Sequence, residues 1–124
     1  MKSVIPSNTP VLGPYSPAVR TGDLIFVSGQ IPVDPATGEI EAKDVEGQTL
    51  QALENLKTIL DNAGCDFSHV VKTTVLLADM SLFGAMNSVY QTKFEAPYPA
   101  RSTYAVKELP KGSLVEIEAI VSLV

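Results

Sequence analysis

Cysteine and histidine each occur once in the 124 residues, at Cys65 and His69. A lone cysteine cannot form an intrachain disulfide, which suits a reducing compartment. With one histidine beside it, no His/Cys zinc cluster of ordinary spacing can be built. Ser-His-Asp or Cys-His catalysis would have to pass through His69, which lies just before a strand pattern and reads as a solvated loop residue. Cys65 follows a helix end and reads as a small buried hydrophobe. No apolar run is long enough for a membrane span. The opening Met1-Lys2-Ser3-Val4-Ile5-Pro6 lacks the apolar stretch of a signal peptide, so a cytoplasmic protein is expected. Neither common glycine-rich phosphate loop is present.

Positive charge is also scarce. Nine basic residues stand against fourteen acidic ones, for a net charge of −5. The basic residues are scattered from Lys2 to Lys111, a poor footprint for a phosphate backbone. Nucleic acid is therefore not expected as the main ligand. What the chain does have is 45% hydrophobic and 19% charged residues, the balance of an ordinary globular protein. Its length suits one domain over residues 1–124.

The apolar pattern alternates between two periods. Asn8 to Pro17 carries three prolines and a glycine and reads as an ordered loop. Val19-Arg20 and Leu24 to Ile31 straddle Thr21-Gly22-Asp23 and predict a hairpin. Asp44 to Ala63 predicts a helix: Leu53, Leu56, Leu60 and Ala63 recur at helical spacing, Asp44 can cap the start and Gly64 the end. Val70 to Leu77 is β-branched and aliphatic, hence a strand. Ser81 can cap a second helix over Leu82 to Phe94, with Met86, Val89 and Tyr90 on its apolar stripe. Arg101 to Val106 and Leu114 to Leu123 predict two more strands.

The resulting order, ββ-α-β-α-ββ, implies an α+β fold: a single mixed β-sheet with two α-helices packed on one face. The other face is mixed in character. In the last strand it reads Leu114, Glu116, Glu118, Ile120 and Ser122. In the second strand it reads Leu24, Phe26, Ser28 and Gln30, with Ile25, Val27, Gly29 and Ile31 facing the helices. Such a surface is too apolar to leave wet over a large area. The simplest cover is another copy of the chain.

The candidate chemistry lies in polar residues at apolar places. Arg101 opens a strand; its planar fork can hold a carboxylate through two parallel hydrogen bonds, which lysine cannot copy. By itself it reads more readily as a surface arginine paired with an acid. Glu116 and Glu118 share one face of a strand and could handle a water as general base or be solvated. Asn87 sits at the edge of the second helix's apolar stripe. Tyr15 stands in a loop stiffened by Pro14 and Pro17, suiting either a packed ring or a pre-ordered ligand contact.

The motifs taken together are more specific. Gly13-Pro14-Tyr15-Ser16-Pro17, Phe26-Val27-Ser28-Gly29-Gln30-Ile31-Pro32 and Asp34-Pro35-Ala36-Thr37-Gly38 are followed by Val71-Lys72-Thr73-Thr74-Val75 and Met86-Asn87-Ser88-Val89-Tyr90. Tyr98-Pro99-Ala100-Arg101-Ser102-Thr103, Leu109-Pro110-Lys111-Gly112 and Val115-Glu116-Ile117-Glu118-Ala119 close the series. In this order, and over nearly the whole chain, they resemble the Rid (RidA/YjgF) family. The resemblance implies a chorismate-mutase-like fold, a homotrimer whose sheets form a central barrel, and clefts between subunits. It implies hydrolysis of 2-imino acids or their enamine tautomers to 2-keto acids and ammonia, with no metal and no cofactor. The matching positions are Arg101, Glu116 and Tyr15 for catalysis, and Ser28, Gly29, Asn87 and Thr103 for substrate binding. Several family members carry cysteine where Thr103 stands, so no mechanism here can need a thiol at that point. The rival expectation is a non-catalytic relative that binds a carboxylate metabolite or regulates, in the manner of the translation-inhibiting, RNA-cleaving members.

Overall fold

The computed structural model describes residues 1–124. Six strands form one sheet: β1 (Ser3–Ile5), β2 (Ala18–Thr21), β3 (Leu24–Gln30), β4 (Val70–Leu77), β5 (Ala100–Ala105) and β6 (Val115–Ser122), in the spatial order β1-β2-β3-β6-β4-β5. Two helices, α1 (Val45–Asn62) and α2 (Phe83–Tyr90), lie on one face. The α+β, mixed-sheet expectation holds. No helix is long and apolar enough to cross a membrane.

The topology follows from two crossovers. The last strand, β6, inserts at the centre and runs antiparallel to both β3 and β4. This makes β3 and β4 parallel to each other, joined by α1; β4 and β5 are also parallel, joined by α2. Both connections step the same way across the sheet. A shared right-handedness therefore places both helices on one side.

The core fills the space between. Leu53, Leu56, Ile59 and Leu60 of α1 are buried, as are Ile25, Val75, Leu77, Val115, Ile117 and Val121 of the sheet. Asp44 caps α1 as expected, its carboxylate accepting from the Gly47 amide at 2.8 Å. The helix ends at Ala63, and Gly64 follows with φ +75°, the left-handed turn that a glycine permits without strain. Buried amides on α1 tether the chain around it. Asn55 donates to the carbonyls of Ile31 and Val33, and Gln48 accepts from the Leu114 amide.

The structure corrects several sequence expectations. A three-residue strand, β1, pairs with β2 although the segment before Pro6 carries little strand signal. The second helix is shorter than Leu82 to Phe94, and Ser81 does not cap it. Asp79 accepts from the Ser81 amide at 2.8 Å and starts a 3-10 turn over Met80–Leu82, from which α2 continues. A carboxylate two residues earlier outcompetes the serine hydroxyl for the free amides. Beyond Tyr90, i→i−3 bonds from Thr92 and Lys93 tighten the chain out of the helix, yet Phe94 still reaches the core. His69 is not a free loop side chain. It sits in the 3-10 turn Phe67–His69, where its ring accepts from the Asp66 amide.

The face assignment at the end of β3 also changes. Val27 pairs with Ala119, but Gln30 pairs with Ile117. Ser28 and Gly29 therefore share the space opposite Glu118, an irregularity of the β-bulge kind that inverts the alternation beyond it. Gln30 turns in and is buried, against its expected place on the mixed face. Gly29, expected among the helix-facing residues, turns out toward Glu116.

Candidate active site

Strand periodicity and register sort the seven candidate residues into two groups. Arg101 and Thr103 pair with Thr73 and Val75 of β4, both fully buried on the helix-bearing face. Asn87 stands on α2 above them. Glu116 pairs with Leu76, whose side chain takes the other face. Gly29, Ser28 and Tyr15 gather on that second side. Within one chain, Arg101 and Glu116 are thus on opposite faces of the sheet.

On the helix side, the Arg101 guanidinium is held by one stripe of α2. Its Nη1 donates to Asn87 Oδ1 at 2.7 Å. Its Cζ lies 4.8 Å from the Tyr90 ring centroid and 5.3 Å from that of Phe83. Phe83, Asn87 and Tyr90 follow at i, i+4 and i+7, so a single helical face presents all three. The ion pairs of the chain are Lys57–Asp61 and Lys93–Glu54. Arg101 has no carboxylate partner, so the reading of it as an ion-paired surface residue does not hold. Most of its five N–H donors remain free beside an open cavity of about 450 Å³ lined also by Tyr98, Pro99 and Gln91. Asn87 is engaged by Arg101 through its carbonyl oxygen, which makes it an orienting partner of the arginine as well as a cavity wall.

On the open side, Glu116 is half-buried and crowded by Gly29. A β-carbon built on Gly29 would fall 2.7 Å from the Glu116 Cδ and 3.0 Å from its Cγ. Only a residue without a side chain allows the carboxyl to lie there. Burial, and then the like charge of Glu118 two residues along, push the Glu116 carboxyl above its ordinary range. Such a group exchanges a proton nearer neutral pH than a solvated glutamate does.

Tyr15 is 55% exposed. Its amide donates to Gly13 O at 2.9 Å, and the Ser28 hydroxyl donates to Ser16 O at 2.6 Å. Ser28 thereby fastens the Tyr15 loop to β3 and spends its own donor doing so. Tyr15 borders both a small recess at Gly29 and a groove of about 540 Å³ that reaches Lys72, Thr74 and Glu118. The open face also exposes Phe26, Leu24, Val71 and Tyr104. No group of three or more His, Cys, Asp or Glu side chains is arranged to hold a metal ion.

Two residues of this site carried no separate signal in the sequence. Tyr90 reads only as a member of an apolar stripe and Phe83 has no assigned place on it; their position under Arg101 depends on where α2 crosses β5.

The Endoribonuclease L-PSP family profile matches residues 6–123. The chain belongs to this family, that of the Rid (RidA/YjgF) proteins. It is 53% identical to a mouse protein named 2-iminobutanoate/2-iminopropanoate deaminase, over 88% of this chain and 81% of that one. It is 55% identical to a RutC family protein of Sinorhizobium fredii, over 90% and 89% of the two chains. Among solved structures, Escherichia coli TdcF with bound serine superposes with a TM-score of 0.91 at 42% identity, covering 97% of this chain and 98% of that one. Family names thus span deaminase, RutC and endoribonuclease, while the Rid fold is common to them.

Proposed function

We propose that the chain is a hydrolytic 2-imino acid deaminase, acting on short species such as 2-iminobutanoate and 2-iminopropanoate, and that each active site is shared between two copies in a homotrimer. The observation that carries this reading is the Arg101 guanidinium, held by aromatic rings and an amide with no acid to neutralise it. A carboxylate is the ligand that such a fork matches. The mouse relative's name and the serine on TdcF, itself an amino-acid carboxylate, support the same class.

The division of the site supports the shared arrangement. Arg101 and Asn87 cannot meet Glu116, Gly29 and Tyr15 within one chain, because the sheet lies between them. In a cyclic oligomer the helix-side edge of one subunit can approach the open face of the next. The exposed apolar residues of that face would then be covered in a barrel of sheets.

The chemistry needs little beyond placement. Arg101 fixes the carboxylate and so holds the imine carbon, a gain of up to several kcal/mol in proximity. A water adds to that carbon while Glu116 accepts its proton, forming the C–O bond of a carbinolamine. The proton passes to nitrogen to complete the carbinolamine; its hydroxyl proton then follows the same route through Glu116 to nitrogen as the C=O bond forms and the C–N bond breaks, and ammonia leaves with the 2-keto acid. In this reading Thr103 and the backbone near Gly29 bond the nitrogen or the water. Tyr15 closes the cleft against bulk solvent.

The test is a coupled assay in which a pyridoxal-phosphate threonine dehydratase supplies 2-iminobutanoate and 2-ketobutanoate is followed. Wild type should accelerate ketoacid release and Arg101→Ala should not. Equal acceleration by both would remove the clamp. No acceleration by either, from folded oligomer, would favour a carboxylate-binding or regulatory protein, which would use the same unpaired arginine. Refolding Arg101→Ala with Glu116→Gln tests the sharing: random mixing should restore roughly a quarter of wild-type activity from two inactive parents. Absence of any recovery would place both groups in one subunit's site.

A further inference from the structure

The Arg101 side chain is supported more elaborately than a surface arginine needs. Tyr90, whose ring lies under the guanidinium, is buried. Its hydroxyl shares a buried 2.7 Å hydrogen bond with Thr73 Oγ1. Phe94 stacks on the ring at 4.5 Å between centroids. Thr73 is the register partner of Arg101 across the parallel β4–β5 pair. The contacts therefore close a circuit: Arg101 sits beside Thr73 through the sheet, Thr73 fixes the tip of Tyr90, and the Tyr90 ring bears the guanidinium.

We infer that Tyr90, locked by Thr73, is a positioning residue that sets the plane of the Arg101 guanidinium before the substrate arrives. This rests on the reading of Arg101 as the carboxylate clamp. A guanidinium stacked on a ring keeps its N–H donors in the plane, pointing past the ring edge. A carboxylate approaching edge-on then finds both hydrogen bonds already aimed. A guanidinium left to rotate would lose that order on every binding event. Asn87 fixes rotation within the plane by accepting a hydrogen bond from Nη1. Tyr90 fixes the plane itself. The Thr73 hydroxyl matters because a buried phenol without a partner would tilt or draw in water to satisfy itself. The aromatic support also holds the charge without competing with the substrate, which an acid in the same place would do.

The experiment compares Tyr90→Leu, Tyr90→Phe and Thr73→Val, by calorimetric titration with 2-ketobutanoate and by steady-state kinetics on 2-iminobutanoate. Loss of the ring in Tyr90→Leu should raise the ketoacid Kd and the KM about tenfold, with kcat changed much less. Tyr90→Phe keeps the ring and should recover most of that loss, leaving a shift of about threefold. Thr73→Val should give a similar shift. The double variant Thr73→Val with Tyr90→Phe should do no worse than either, since each removes the same bond. Unchanged Kd and KM in all three, with only the melting temperature lowered, would make the Thr73–Tyr90 pair a packing feature and overturn the inference. Should Tyr90→Leu fail to fold, Thr73→Val and Tyr90→Phe decide the matter by the same readout. Arg101→Ala separates the two ideas. If it binds 2-ketobutanoate like wild type, the clamp itself fails. If it loses binding while the Tyr90 and Thr73 variants keep it, only the positioning role fails.

Discussion

Gly29→Ala is the smallest change that should separate catalysis from folding. The added β-carbon would meet the Glu116 side chain, 2.7 Å from Cδ and 3.0 Å from Cγ. Carbon atoms rest at about 3.5–4.0 Å, so the carboxyl must retreat by roughly 1 Å. It is the end of a flexible side chain and can do so by leaving its rotamer, at a cost of about 0.5–1.5 kcal/mol. Gly29 is not among the residues with positive φ, so its backbone suits alanine, and the stiffer unfolded chain returns about 0.4–1 kcal/mol. Net stability should stay within about 1 kcal/mol of wild type. Turnover should not survive: a misplacement of about 1 Å in a reacting group costs on the order of a hundredfold. Two measurements decide it, a melting curve and the dehydratase-coupled assay. A folded Gly29→Ala protein with wild-type turnover would refute a water-handling role for Glu116 at this spot. In a Glu116→Gln background the alanine should add little, because the group it displaces is already inert. A full further loss there would mean that Gly29 acts by some other route.

Other consequences are open to direct measurement. The Glu116 carboxyl is raised by burial and by Glu118, so the folded chain holds that proton more tightly than the unfolded one. Its stabilising contribution is complete below the ordinary carboxylate pKa and lost as pH rises through the raised value. Glu116→Gln cannot lose a proton there and should melt higher than wild type at pH 7 but not at pH 4; an equal difference at both would count against this. Thr49 Oγ1 is buried without a hydrogen-bond partner. Thr49→Val keeps the branched shape and should stabilise by about 1 kcal/mol in urea unfolding, and a comparable loss would reveal a hidden partner. Asn55→Leu leaves two carbonyls, of Ile31 and Val33, without the donor that now serves both. It should cost about 2–4 kcal/mol, and a neutral result would mean that water replaces the amide.

Much of this protein was legible in the residues alone, because much of it depends on local chemistry. Helical spacing of Leu53, Leu56 and Leu60 defined α1, and Asp44 and Gly64 marked its ends, since caps and turns act over three or four residues. Alternation in 115–123 identified β6 and separated Glu116 and Glu118 from the core face. A long series of motifs identified the Rid family. Local pattern was weaker where two local signals competed, as at Asp79 and Ser81, or where an element is held mainly by its partner, as β1 is by β2.

Only the tertiary structure decided how these pieces become a site. The inversion of β3 at Ser28 and Gly29 comes from pairing with β6, almost ninety residues further along, and no window of sequence contains both strands. That inversion turns Gly29 toward Glu116 and buries Gln30. The aromatic seat of Arg101 likewise depends on α2 crossing above β5, which makes Phe83 and Tyr90 into the support of a charge. The sheet then holds that charge and Glu116 on opposite faces, because register partners share a face and residues one step apart do not. Residue types determined what chemistry the chain could offer; long-range pairing determined which groups stand together and which the sheet holds apart.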